Sequence, residues 1–241
     1  VAANFDATEM LRPGLLAGVA VVVARATGVG ALEPSAALTA SVAGACSGLG
    51  ASVFECALAA SGDLEADDAA TSETVEQALA ELGEVSLLLV DAASSFSAPD
   101  GRDVAHDEAP ASASAGAADL VRALEASWRI TQAVANAAFI ERGAAGRIVY
   151  VAPAPDAGAQ ADAARAGLEN LARTLSIEWA RYGISPLTIA PGMATSSAEI
   201  ASLVGYLASP AGDYFSGCLL DLSGPGRAGD RDRDNAASPG R

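Results

Sequence analysis

The residues able to do chemistry are few and scattered. His106 is the sole histidine and stands among Asp103, Asp107 and Glu108, a grouping that could invite a metal. A single histidine in so acidic a stretch reads more simply as solvent-facing. Cys46, Cys56 and Cys218 are odd in number, far apart and in apolar surroundings, so neither a disulfide framework nor a zinc site is expected. Asp67 and Asp68 form an acidic pair without a recognisable pocket context, and no G-x-S-x-G nucleophile elbow occurs. The sequence contains no lysine: every basic side chain other than His106 is arginine. Mutational bias toward GC-rich codons accounts for such a composition in general terms.

The elements that must position these residues are easier to read. Val19 to Ala24 is a continuous apolar run, the pattern of a strand buried on both faces of a parallel sheet. Further strands are expected at Ser52–Leu58, Val85–Val90, Arg147–Ala152, Ile184–Ala190 and Cys218–Leu222, with a weak additional one before Asp67. Helices are expected over Ser35–Cys46, Thr71–Leu82, Ala117–Arg142 and Asp162–Tyr182, and from a capping box at Ser196 and Glu199 to about Ala208. Leu168, Leu171, Ala172, Leu175 and Trp179 follow the spacing of a helix with one buried face. Residues 94–116 are rich in Ser, Ala, Pro and Asp without apolar periodicity and read as an irregular acidic loop. Strands alternating with helices predict a parallel, three-layer α/β/α sandwich. The expected organisation is one domain over residues 1–223 and a disordered tail over 224–241.

A formal charge of −16 opposes binding to nucleic acid or to anionic lipid surfaces. No apolar run is long enough to span a bilayer. Residues Val1 to Met10 carry Asp6 and Glu9 and no basic residue, unlike a secretory signal, so a cytoplasmic location is expected.

The segment RAGLENLARTLSIEWARYG (Arg165–Gly183), followed by ISPLTIAPG, resembles the active-site helix, sixth strand and Pro-Gly turn of the short-chain dehydrogenases/reductases. LVGYLASPAGDYFSGCLLDLSG (Leu203–Gly224) resembles the closing helix and strand of that family, and LRPGLLAGVAVVV its beginning. The resemblance implies a Rossmann-type doubly wound sheet, an NAD or NADP cofactor and a carbonyl or hydroxyl substrate. It assigns the cofactor to Gly28 and Gly30 in the first strand–helix loop, to Asp67, to Ala93 after the fourth strand, to Arg165, and to Pro191 and Gly192. Ala57 to Ala60, at the end of strand two, offer neither an acid for a ribose 2′-hydroxyl nor an arginine for a 2′-phosphate, which leaves NAD and NADP undistinguished.

The family's chemistry needs a Tyr-x-x-x-Lys pair, in which a cation one helical turn away makes a phenol with pKa near 10 usable as an acid–base group. Here the Tyr position is Ala161 and the Lys position Arg165, and a lysine-free chain cannot restore the pair by a shifted alignment. The hydroxyl expected after the fifth strand is missing from Ala152–Pro155; Tyr150 is the nearest phenol, inside a strand where packing is its simpler role. Asp91-Ala92-Ala93-Ser94 keeps one residue of Asn-Asn-Ala-Gly, and Met193 to Thr195 leave no room for a lid. Arg165 is expected on a solvated face, free to touch a ribose or phosphate. The resemblance therefore implies an inactive relative that acts as a partner or scaffold subunit, as a homo-oligomer or with an active subunit, through the helices at Ala117–Arg142 and Asp162–Tyr182. An oxidoreductase with non-standard donors such as Tyr150, and a dinucleotide-sensing regulator, are the alternatives.

Overall fold

A computed structural model describes residues 10–26, 33–95 and 109–223. The first strand, β1 (Ala20–Ala26), uses its β-branched run as the alternation of a strand requires. Val22 and Ala24 enter one core, Val21 and Val23 the other. Five more strands follow: β2 (Ser52–Leu58), β3 (Leu87–Asp91), β4 (Gly146–Val151), β5 (Ile184–Ala190) and β6 (Leu219–Asp221). All pair in parallel, in the order β2-β1-β3-β4-β5-β6. Helices α1 (Glu33–Gly48) and α5 (Ser197–Ala208) cover one face, and α2 (Leu64–Leu82), α3 (Ala109–Val134) and α4 (Ala161–Glu178) cover the other. This is the expected three-layer, Rossmann-type doubly wound sheet.

Doubly wound sheets commonly have the order 3-2-1-4-5-6. Here the outermost position is empty among the described residues, and β2 is an edge strand. The weak strand expected before Asp67 does not form. Instead the chain passes from Leu58 through Ala59–Asp63 into α2, where Asp63 caps the helix by accepting from the N–H groups of Glu65 and Ala66. Helix α2 thus starts seven residues ahead of the expected Thr71.

The irregular loop expected over 94–116 is corrected at both ends. Residues Ala92–Ser95 form a 3-10 turn, and α3 begins at Ala109, where alanine, a good helix former, recurs at every second position and Pro110 falls in the first turn that tolerates it. Residues 96–108 lie outside the described residues, as does the expected tail at 224–241. Helix α3 ends in a π-helical turn, Ala135–Ile140.

Helix α4 carries the positions of greatest interest and is seated by small and branched side chains. Ala161, Ala164, Leu168, Ala172 and Leu175 are buried, whereas Leu171 and Trp179, expected on the same stripe, are half-buried against α3. Gly167 lets α4 approach α3: a Cβ there would sit 3.1 Å from a Leu124 methyl. The Thr188 hydroxyl of β5 donates to the Leu168 carbonyl at 3.1 Å. A left-handed Gly183, with φ of 70°, turns the chain from the closing 3-10 turn (Ala180–Tyr182) into β5. Leu168 is fully buried, so Leu168→Ala is expected to cost about 2–4 kcal/mol in urea denaturation; a loss under about 1 kcal/mol would mean that α4 is not held by this stripe.

Candidate functional site

The C-terminal ends of β1 and β3 flank the point where strand order reverses, the place where open α/β sheets bind ligands. Around this crest lie the 3-10 turn after β3, the Pro153 and Pro191 turns after β4 and β5, and the start of α4. The crest is fastened largely by its own residues. The Ser94 hydroxyl accepts from the Ala26 N–H at 2.7 Å and donates to the Asp91 carbonyl at 2.6 Å. The Asp91 carboxylate, fully buried, accepts from the Ser94 N–H at 3.2 Å. Ala93 sits half-buried within the same turn.

Arg165 departs most from expectation. One guanidinium nitrogen, Nη1, donates to the carbonyls of Pro153 and of Pro191, each at 2.8 Å. Charge-assisted bonds of this kind are roughly twice as strong as neutral ones. The side chain therefore ties the chain leaving β4 to the chain leaving β5. Next to it, Asp221 at the end of β6 is held below the usual carboxylate range, first by hydrogen bonds from Ser223 and also by the Arg165 charge. Ala161, one turn earlier on α4, is 2% exposed and supplies only a methyl group.

Pro191 and Gly192 are committed in the same way. Pro191 offers its carbonyl to Arg165, and the Gly192 N–H donates to the Thr195 hydroxyl at 2.8 Å. A Cβ on Gly192 would lie 2.8 Å from the Ser223 Cα, so the glycine is required by the chain leaving β6. Helix α5 begins immediately afterwards, at the expected capping box of Ser196 and Glu199.

Asp67, which the resemblance assigns to the cofactor, is held by its own neighbours. It lies in the first turn of α2, 4% exposed. Its carboxylate accepts from the Ser61 N–H at 2.9 Å, the Ser61 hydroxyl at 2.7 Å and the Gly62 N–H at 3.3 Å, with Arg129 Nη1 at 3.7 Å. Burial by itself would raise its pKa; the bonds from Ser61 and Gly62 and the Arg129 charge outweigh that and hold it below the ordinary carboxylate value. Arg129 also donates to Asp68 at 2.5 Å and to the Ala59 carbonyl at 3.4 Å, fixing β2, α2 and α3 to one another. Beside this cluster a groove of about 440 Å³ is lined by Gly62, Leu64, Val121, Arg122 and Glu125.

Other candidates are placed as follows. Tyr150 is fully buried in β4 and donates to the Thr131 hydroxyl at 3.0 Å, and burial pushes its pKa well above the usual phenol value. It packs, as its position in a strand suggested, and does not face the crest as a donor. Burial raises Cys46 to about 11 and Cys56 to about 12, so both stay protonated at neutral pH. Among the described residues no three His, Cys, Asp or Glu side chains gather as a metal site, and no helix is long and apolar enough to cross a membrane. Gly28, Gly30 and His106 lie outside the described residues. Ser94 and Thr195, whose hydroxyls fasten the crest, and Ser61, which donates to Asp67, were not singled out from the sequence; the D-x-x-S spacing of Asp91 and Ser94 was the available signal.

The described residues do not fit the nicotinamide end of a dinucleotide. Ala161 offers no hydroxyl, and Arg165 spends its Nη1 on two backbone carbonyls. The adenine end is a separate matter, because the groove beside Asp67 is open.

No family model and no curated protein matches the sequence. Solved structures do match in shape. A short-chain dehydrogenase from Mycobacterium smegmatis has a TM-score of 0.67 at 21% identity, over 88% of this chain and 94% of that one. A hydroxysteroid dehydrogenase from Escherichia coli has a TM-score of 0.65 at 19% identity, over 88% and 99%. A 3-ketoacyl-(acyl-carrier-protein) reductase from Brucella melitensis, solved as a complex with NADH, has a TM-score of 0.61 at 19% identity, over 87% and 98%. The fold of this chain is therefore that of the short-chain dehydrogenases/reductases.

The depressed pKa of Asp67 means that its contribution to stability is present above the carboxylate's unfolded pKa and is lost as pH falls through the folded one. Asp67→Asn is expected to lose about 1–3 kcal/mol at pH 7 and to converge toward the parent below about pH 3. Urea denaturation across pH checks this, and a constant difference at every pH would contradict it.

Proposed function

We propose that this chain is a short-chain dehydrogenase-fold subunit that acts by association, as the partner or scaffold of an oligomer, and carries out no hydride transfer of its own. The observation that carries this reading is the state of the α4 positions. Where the family resemblance calls for a proton donor there is the buried methyl of Ala161, and where it calls for a cation on the ribose there is an arginine bonded to Pro153 and Pro191. Restoring the chemistry would need a phenol, a free cation and a crest hydroxyl together.

The association half of the reading is supported by the outer surface of α3 and α4, the helices that the resemblance links to dimer formation. Trp128 and Trp179 stack there with ring centroids 6.1 Å apart and planes 18° apart. Trp128 is 36% exposed, and Val121, two turns before it on α3, is 53% exposed. Half-exposed tryptophans of this kind are favoured at protein interfaces. The partner is a second copy or an intact relative, and the three free cysteines agree with a cytoplasmic setting.

A second reading, a regulator that senses a dinucleotide or its adenylate half without reducing anything, is favoured by the groove between Asp67 and Val121 at the end of β2. An oxidoreductase using Tyr150 is not favoured, since that phenol is buried against Thr131.

Two outcomes are expected. The double variant Ala161→Tyr, Arg165→Lys gives no measurable carbonyl reduction with NADH or NADPH; turnover by that variant would refute the loss of function argued here. Expressed alone or together with an intact short-chain dehydrogenase, the chain forms a self-paired or mixed oligomer by native mass spectrometry, and Trp128→Asp weakens it at least about tenfold. A chain that stays monomeric alone and in that mixture would overturn the partner role.

A further inference from the structure

Beyond that partner reading, and independent of the α3–α4 face, the free edge of the sheet carries a second inference. Strand β2 pairs with β1 alone. The Ser52 N–H donates to the Val19 carbonyl, so alternation along the strand aims the backbone groups of Ser52, Phe54, Cys56 and Leu58 at β1. Those of Val53, Glu55 and Ala57 then point outward. No hydrogen bond among the described residues meets them. In the usual doubly wound order another strand lies here, whereas in this chain Ala59–Asp63 lead straight to α2. The edge also has apolar surface on both sides, with Phe54 and Cys56 half-buried against one core and Val53 against the other.

We propose that the outer edge of β2 receives an extended strand from a partner protein, with a basic residue opposite Glu55. Adding a strand satisfies the outward N–H and C=O groups and continues the two apolar faces, while side-chain pairing selects the partner. Glu55 is the only charge on β2, lies at its centre and is exposed. A second copy of this chain is a poor occupant. Two β2 strands related by a two-fold axis at Glu55 would set carboxylate against carboxylate, between molecules that each carry a formal charge of −16. A basic strand meets the same edge with complementary charge.

The test uses a fluorescein-labelled probe peptide that alternates Val and Thr around a central Arg, the same peptide with a central Glu, and an Arg form N-methylated at alternate residues. By anisotropy the Arg probe is expected to bind saturably, with the Glu probe roughly five- to tenfold weaker and the order reversed in Glu55→Lys. N-methylation, which spares the side chains but removes the bonding N–H groups, abolishes binding. Ala57→Pro does the same, because the Ala57 N–H points away from β1; if that variant fails to fold, the N-methylated probe makes the same point. Amide exchange at Val53, Glu55 and Ala57 slows with the Arg probe present, while Phe54 and Cys56 are unchanged. The proposal is overturned by absence of saturable binding, by equal affinity for the Arg and Glu probes, by protection at another edge, or by self-association of the chain through β2. None of these results bears on the α3–α4 interface, so the two readings fail separately.

Discussion

At the carboxyl ends of β4 and β5 two strands stop at prolines, and the carbonyls of Pro153 and Pro191 face each other across the crest. Arg165 reaches both with one guanidinium nitrogen at 2.8 Å. Backbone acceptors near a protein interior need partners, and a charged donor is a strong one. The rest of the crest is arranged around that clamp. The Arg165 charge helps keep Asp221 ionised, Gly192 is packed against Ser223, and Thr195 closes the turn into α5. Arg165 is thus part of the frame of the crest.

The clamp works only because α4 is fixed beneath it. Leu168, Ala172 and Leu175 bury one face, and Gly167 lets α3 and α4 meet closely. At the β2 edge of the sheet, Asp67, Arg129 and Ser61 join the end of β2 to α2 and α3 through hydrogen bonds and ion pairs. That network follows directly from the short passage out of β2, which brings the first turn of α2 against α3. The open edge of β2 has the same cause.

Much of the fold was legible because burial on both faces of a parallel sheet writes itself as unbroken apolar runs. Ile184–Ala190 was placed to the residue, and the Ser196–Glu199 cap marked the start of α5. Where the pattern was weak the reading slipped. Alanines at the start of α3 carry helix propensity without an apolar stripe, so the sequence there has the pattern of a loop until Ala117. Ala57–Ala60 and Asp67 look equally compatible with a strand end or a helix start, and only tertiary packing against Arg129 decides between them. At the site, the identities of Ala161 and Arg165 were legible but their surroundings were not. Whether an arginine meets solvent or a pair of carbonyls depends on the path of two distant turns, which local sequence does not encode.

Whether the crest accepts a nicotinamide is the deciding point. Trp128 and Trp179 provide an intrinsic donor for energy transfer to reduced cofactor, so titration with NADH and with NADPH reads binding without a label. The prediction is no saturable transfer from either up to about 1 mM, the upper end of the range in which enzymes usually hold their substrates. Saturable binding of NADH or NADPH at micromolar concentration, competed by the oxidised form, would contradict it.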